Sequence, residues 1–221
     1  MSRERPASLE WGSKTFKIDP AFPDPALIAR ACDIIGSGGV VAFPTMSLYG
    51  LGADAWNRHA VEKVRLIKRR PESKPVLLLV KDVSFVDRLA RKVGDTARSL
   101  IEHFWPGDIT LVFEADPGVP GHLLSGSGKI GLRVPAHPVA RAIVEAFGGP
   151  VTGTSANLSG SKSCYTMEMV RESLGVLPDL MLDAGPLRGG VGSTVVDVSV
   201  SPPLILREGA VCAKDVMAVV T

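Results

Sequence analysis

The segment Lys68-Arg-Arg-Pro-Glu-Ser-Lys74 sets four cations within seven residues, and their spacing gives them different prospects. If the chain from Arg58 onward is helical, Ala60, Val61, Val64 and Ile67 form one apolar stripe. At about 100° per residue Lys68 falls between Val61 and Val64, on the face that should be buried. A charge there must be paired or must emerge into a cleft at the helix end. Pro71 pushes Arg70 out of helical geometry, which frees its guanidinium to aim elsewhere. Both cations suit an anion site. The alternative, cations favoured by the negative end of the helix dipole, accounts for Arg69 better than for Lys68.

Two further stretches offer neutral donors. In Pro44-Thr-Met-Ser-Leu-Tyr-Gly-Leu-Gly-Ala53 a strand ends in proline, the hydroxyls of Thr45 and Ser47 follow, and glycines leave room for a close ligand. Ligands of open α/β sheets sit beyond the carboxyl ends of strands, where such a loop lies. Thr152-Gly-Thr-Ser-Ala-Asn-Leu-Ser-Gly160 places five hydroxyl or amide side chains beside two glycines, a supply of donors for a polyanion. The plain alternatives are a structural turn and a Ser/Asn-rich loop. Arg133 ends one apolar run, Ser193 opens another, and Arg207 ends a third. Arginine at a strand terminus suits bidentate recognition of carboxylate or phosphate, although any one of them is more often a surface ion-pair residue. Taken together, Lys68, Arg70, Arg133 and Arg207 predict a concave site for a ligand with several negative charges.

Other chemistries find no support. No Gly-x-Ser-x-Gly motif is present and no Gly-x-Gly-x-x-Gly follows a strand, so covalent catalysis has no candidate. His59, His103, His122 and His137 lack metal-ligand spacing, and no metal ligands are assigned. Gly126-Ser-Gly-Lys129 imitates the end of a phosphate-binding P-loop, but Leu123 stands where glycine is needed and Ile130 where a hydroxyl is needed. It reads as a surface turn. Cys32, Cys164 and Cys212 are odd in number and far apart, which argues against a disulfide framework or zinc site and fits a reducing cytosol.

The elements that must position these residues follow from apolar runs alternating with helical patterns, the signature of a mixed α/β sheet. Asp24-Pro25 caps a helix to about Ile35, and Asn57 caps another from Arg58 to about Arg69. Helices are also predicted over 83–92, 95–104, 138–147 and about 167–174. Strands are predicted over 40–43, 75–80, 109–113, 130–134, 150–153, 180–183, 194–198 and 204–206. The 221 residues are 45% hydrophobic and 22% charged, with a net charge of +2 that neither demands nor excludes a nucleic-acid partner. No linker divides them, so one domain over 1–221 is expected, with a core at about 25–210 and an N-terminal extension over 1–20. The start has no apolar leader and no run of 18 apolar residues occurs, so a soluble, cytoplasmic protein with no membrane partner is expected.

In this order the segments resemble the YrdC/threonylcarbamoyl-AMP synthase family. Gly38-Gly39, Pro44 to Leu51, Lys68 to Pro71, Trp105 to Thr110, Arg133 to Pro135, Thr154 to Gly160, Ser193 to Val195 and Arg207 to Gly209 match eight of its motifs over about 25–210. The resemblance implies an open, twisted mixed α/β sheet with helices around a basic central cavity. It implies a nucleotidyltransferase that converts L-threonine, bicarbonate and ATP to threonylcarbamoyl-AMP and pyrophosphate, with Mg2+ carried by the phosphates. The product would pass to a downstream threonylcarbamoyl transferase that modifies adenosine 37 of tRNA, with room for weak tRNA binding here.

By the same resemblance Lys68 and Arg70 would be catalytic. Arg70, Lys74, Thr110, Ser155, Asn157, Ser163 and Arg207 would hold ATP. Thr45, Ser47, Arg133, Gly153 and Ser193 would cradle threonine. Four positions depart from the family pattern: Met46 replaces an acid, Ser47 a threonine, Arg69 a glycine, and Leu79 a histidine found in some members. They leave open a related enzyme with another substrate, such as a carbamoyl-adenylate former. A non-catalytic RNA-binding module is the alternative from another class; aromatics, at 5%, are few for base stacking.

Overall fold

The computed structural model describes residues 14–220. In chain order the elements are β1 (Lys14–Lys17), α1 (Pro25–Gly36), β2 (Val41–Pro44), β3 (Tyr49–Gly52), α2 (Arg58–Lys68), β4 (Leu77–Leu79), α3 (Ser84–Leu89) and α4 (Asp95–Phe104). There follow β5 (Ile109–Glu114), α5 (Gly121–Leu124), β6 (Lys129–Arg133), α6 (Pro138–Phe147), β7 (Val151–Thr152), β8 (Thr154–Ser155), α7 (Met167–Ser173), β9 (Leu180–Asp183), β10 (Thr194–Asp197), β11 (Leu204–Arg207) and α8 (Ala213–Val220). Among the described residues no helix is long and apolar enough to cross a membrane.

The expected mixed α/β architecture is present, with the strands divided between two sheets. One runs β1-β9-β2-β3-β8 and the other β11-β10-β5-β6-β4-β7. The chain passes from the second to the first at Gly153, between β7 and β8, and an isolated bridge between Asp54 and Val151 also joins them. The predicted caps are in place: the Asp24 side chain accepts from the Ala26 N–H and that of Asn57 from the Ala60 N–H. These end bonds contribute about 1 kcal/mol each to helix stability.

Burial explains why the apolar runs are continuous in some strands and alternate in others. The first sheet is covered on both faces, by α1 and α6 on one side and by α2 and α7 on the other. Its strands β2 and β9 are buried at every position, as strands between two helical layers are. The second sheet is covered on one face only. Leu78, Leu111, Phe113, Ile130, Leu132 and Val196 pack there against α3, α4 and α8. The alternate residues, Leu77, Leu79, Thr110, Val112, Lys129, Gly131, Arg133 and Val195, face the other way and line an open space between the sheets.

Three strands differ from expectation. Residues 14–17, expected in an N-terminal extension, form β1 and pair in parallel with β9; the rest of that extension up to residue 13 lies outside the described residues. Tyr49-Gly-Leu-Gly52, read as part of a loop, is β3, paired antiparallel with β2. Thr154–Ser155 is a short strand against it. Alternating glycines carry no side-chain pattern, so β3 gives no periodic signal even though its backbone pairs on both edges.

Candidate active site

The open space is a cavity of about 450 Å³, within the range of pockets that hold a cofactor or a small molecule. Strand register brings its polar groups together. Arg207 of β11 pairs with Val195 of β10, Val195 pairs with Thr110 of β5, and Leu79 of β4 pairs with Arg133 of β6. Side chains from five strands thus rise from one sheet face, and Arg70, Ser155 and Ser163 border the same space.

The end of α2 is built as the apolar stripe requires. Val61, Val64 and Ile67 are buried, and Lys68 on the same face is 1% exposed. Arg69 closes the helix in the left-handed region at φ 48°, which turns the chain so that the Arg70 N–H reaches the Arg65 carbonyl at 2.9 Å. Lys68 is held from outside the lining: Nζ donates to the Ser155 carbonyl, to the Asn157 carbonyl at 2.8 Å and to Asn157 Oδ1 at 3.4 Å. All three acceptors are neutral. Burial, with Arg70 nearby, pushes its ammonium from 10.5 down to about 8.

Arg70 extends into the cavity. One guanidinium nitrogen, Nη2, donates to the Pro75 carbonyl at 2.9 Å, while buried Nε has no partner. Burial lowers its proton affinity, and the charges of Arg65 and Arg207 lower it further. A buried donor without an acceptor is costly unless a ligand supplies one. Arg207 donates Nη2 to the Ser193 carbonyl at 2.7 Å, and Ser193 Oγ lies 2.8 Å from Thr110 Oγ1. Arg133, 6% exposed, is ion-paired with Asp108, and Lys129 pairs with Asp197 at 2.7 Å. Among the described residues no carboxylate pairs with Lys68, Arg70 or Arg207. One side of the cavity therefore carries uncompensated positive charge.

Of the anticipated site residues, Thr45, Arg70, Thr110, Arg133, Gly153, Ser155, Ser163, Ser193 and Arg207 line the cavity. Lys68 and Asn157 stand immediately behind Ser155; Asn157 accepts from Ser155 Oγ at 2.6 Å. Ser47 is buried away from the lining, and its carbonyl holds the Gly189 N–H at 3.0 Å. Lys74 is exposed and also lies off the lining. Thr45 spends its hydroxyl on the Leu48 carbonyl at 2.6 Å. Glycine at 153 is required by crowding, because a Cβ would fall 2.6 Å from Leu79 Cγ.

Ser127, Lys129 and Asp108 were not anticipated. The first two belong to the turn that imitates a P-loop, and they border the cavity. Two-residue alternation back from Arg133 through Gly131 marks Lys129 as cavity-facing. Nothing in the sequence marks Asp108, whose partner is 25 residues away.

Comparison with known proteins shows the fold and the family. The Sua5/YciO/YrdC family model, described as "Telomere recombination", matches residues 33–209. Threonylcarbamoyl-AMP synthase of Bacillus subtilis is 35% identical over 194 residues, which cover 87% of this chain and 56% of that protein. YciO of Escherichia coli K12, an uncharacterized protein, is 34% identical over 199 residues, covering 89% of this chain and 96% of YciO. The structure of Pyrococcus abyssi Sua5 complexed with L-threonine superposes with a TM-score of 0.89 at 31% identity, covering 94% of this chain and 61% of that one. The chain spans little more than half the length of the Bacillus and Pyrococcus curated relatives, at 56% and 57%. With the match running from the end of α1 to the cavity's last arginine, this chain belongs to the Sua5/YciO/YrdC family.

Proposed function

We propose that this protein is a threonylcarbamoyl-AMP synthase, a nucleotidyltransferase acting on L-threonine, bicarbonate and Mg-ATP. The observation that carries the reading is the set of unneutralised cations, Arg70 and Arg207 in the cavity with Lys68 behind its wall. They match a polyphosphate in sign, and the cavity matches a nucleotide tail in size.

The threonine amine and bicarbonate condense with loss of water to a carbamate. A carbamate oxygen then attacks the α-phosphorus of ATP, the bond to the bridging oxygen breaks, and pyrophosphate leaves. The nucleophile belongs to the substrate, which accords with a lining that, among the described residues, holds no cysteine and no histidine to activate a serine. Catalysis would come from positioning and from charge stabilisation at the phosphates. Arg70, through its unpartnered Nε, and Arg207 would take the phosphates. Lys68 would add charge through the Ser155–Asn157 wall. Thr110, Ser155, Asn157 and Ser163 would complete the nucleotide side, with Lys74 reaching it only from the rim. Arg133 would take the threonine carboxylate, with Gly153, Ser193 and Thr45 around the amino acid and Ser47 supporting from behind. Magnesium would enter on the phosphates. In the cell the adenylate would pass to a threonylcarbamoyl transferase acting on tRNA.

The test is pyrophosphate release from ATP by the purified chain. Release should require threonine and bicarbonate together, and Lys68→Ala and Arg70→Ala should each lower it by about 100-fold or more in folded protein. Equal turnover with serine, or with no amino acid, would remove threonine from the assignment. Leu79, apolar where some family members carry histidine, favours a second reading: the same adenylation on a different amine, which a panel of amino acids in the same assay would reveal.

A further inference from the structure

We propose that Asp108 is a positioning residue, which clamps one edge of Arg133 so that the other edge receives the carboxylate of the amino-acid substrate. The proposal rests on the amino-acid-dependent reading above. Arg133 donates Nε to the Gly107 carbonyl at 2.6 Å and Nη2 to Asp108 Oδ1. Gly107 and Asp108 are neighbours in the chain, so a backbone carbonyl and a side-chain oxygen grip one edge of the guanidinium at two points. Nη1 has no protein partner among the described residues, on an arginine that lines the cavity. Nη1 and the second hydrogen of Nη2 remain as a fork for a carboxylate.

The clamp is itself fixed. The Gly107 N–H donates to the Val134 carbonyl at 3.0 Å, one residue beyond Arg133, and the Asp108 carbonyl accepts from the Thr194 N–H at 3.0 Å. Residues 107 and 108 are thereby tied to the end of β6 and the start of β10. A Cβ at Gly107 would lie 2.1 Å from the Phe104 carbonyl oxygen, so the segment has no room for a side chain there. Outer partners that orient a binding group in this way set its geometry without touching the ligand.

Charge gives Asp108 a second effect. Arg70 and Arg207 have no carboxylate, whereas Arg133 has one. A polyanion is therefore drawn to the first two and repelled by Asp108 near the third, which leaves Arg133 for a single carboxylate. Asp108 Oδ2 also lies 3.9 Å from Nη2 of Arg188, whose side chain is 68% exposed. A pair this open contributes little, and Arg188 serves as the control.

Pyrophosphate release is measured with saturating ATP and bicarbonate against L-threonine and against L-threoninamide, which keeps the amine and side chain and lacks the carboxylate. Wild type should prefer threonine. Asp108→Asn keeps an oxygen to accept from Nη2 and should hold that preference within about threefold. Asp108→Leu should reduce it about tenfold or more through a higher KM for threonine, with the threoninamide parameters unchanged. Arg188→Ala should match wild type. If the leucine variant does not fold, judged by thermal unfolding, Asp108→Ser gives the same readout. A preference unchanged in the leucine or serine variant overturns the proposal, and so does an equal loss with both amines, because a merely structural role would produce it. If wild type uses another amino acid, that amino acid and its amide replace threonine and threoninamide with the same expectations. Turnover by wild type with no amino acid would be a different failure, that of the functional reading, and Asp108 would fall with it.

Discussion

Lys68 shows how much the angular position of one side chain on a helix decides, and where that influence stops. Its place on α2 predicts burial, and 1% exposure agrees. The position alone cannot give its partners, the carbonyls of Ser155 and Asn157, because they arrive from nearly 90 residues along the chain. Neutral acceptors and burial set its pH behaviour. The folded protein releases this proton near 8 and the unfolded chain near 10.5, so between those values the unfolded state binds more protons. Stability attributable to Lys68 therefore rises with pH across that window and is lost as pH falls through 8. Compared with Lys68→Met, wild type should gain relative stability between about pH 7.5 and about pH 10 in denaturant unfolding. A constant difference would show that this ammonium is not depressed. Nucleotide binding should change the opposite way, weakening above about pH 8 in wild type as the positive charge is lost. Calorimetric titration of ATP with Lys68→Arg, which keeps its charge, should show no such loss.

At the scale of elements, most helices and strands are legible because caps and apolar runs are local. Asp24-Pro25 and Asn57 start their helices at the expected residues, and Pro138–Phe147 and Leu180–Asp183 run over the expected spans. What escapes notice is pairing without side-chain pattern, as in glycine-rich β3 and the two-residue β8. The close of α2 explains one departure from the family pattern. Arg69 sits at φ 48°, where glycine has no Cβ penalty, and its side chain is exposed. Arg69→Gly should stabilise the protein by about 0.5–1 kcal/mol, raising Tm by about 1–4 °C, with turnover unchanged. A lower Tm would mean that the arginine makes a compensating contact. The crossover between sheets offers a second test. Gly153→Ala drives a methyl into Leu79 and should cost about 1–3 kcal/mol, and adding Leu79→Ala should recover part of that cost. Purely additive losses would deny that the two residues touch.

For the whole molecule, division into two sheets matters more to function than any motif. A sheet with helices on both faces has no room for a ligand, whereas the β11-β10-β5-β6-β4-β7 sheet leaves one face free, and the cavity lies over it. Arg70, Arg133 and Arg207 are legible as a set from their places at helix and strand ends; bringing them to one cavity needs register, which depends on contacts between distant strands. The same dependence hides Asp108, whose meaning lies in its partner Arg133, 25 residues along the chain. The central claim is that these strands assemble a nucleotide site between the sheets. A crystal structure of the chain with a non-hydrolysable ATP analogue tests it most directly. It should place the phosphates between Arg70 and Arg207, with Arg70 Nε donating to a phosphate oxygen and Arg133 left to its own corner. Phosphates bound on the outer surface, with Arg70 and Arg207 free of them, would contradict the account.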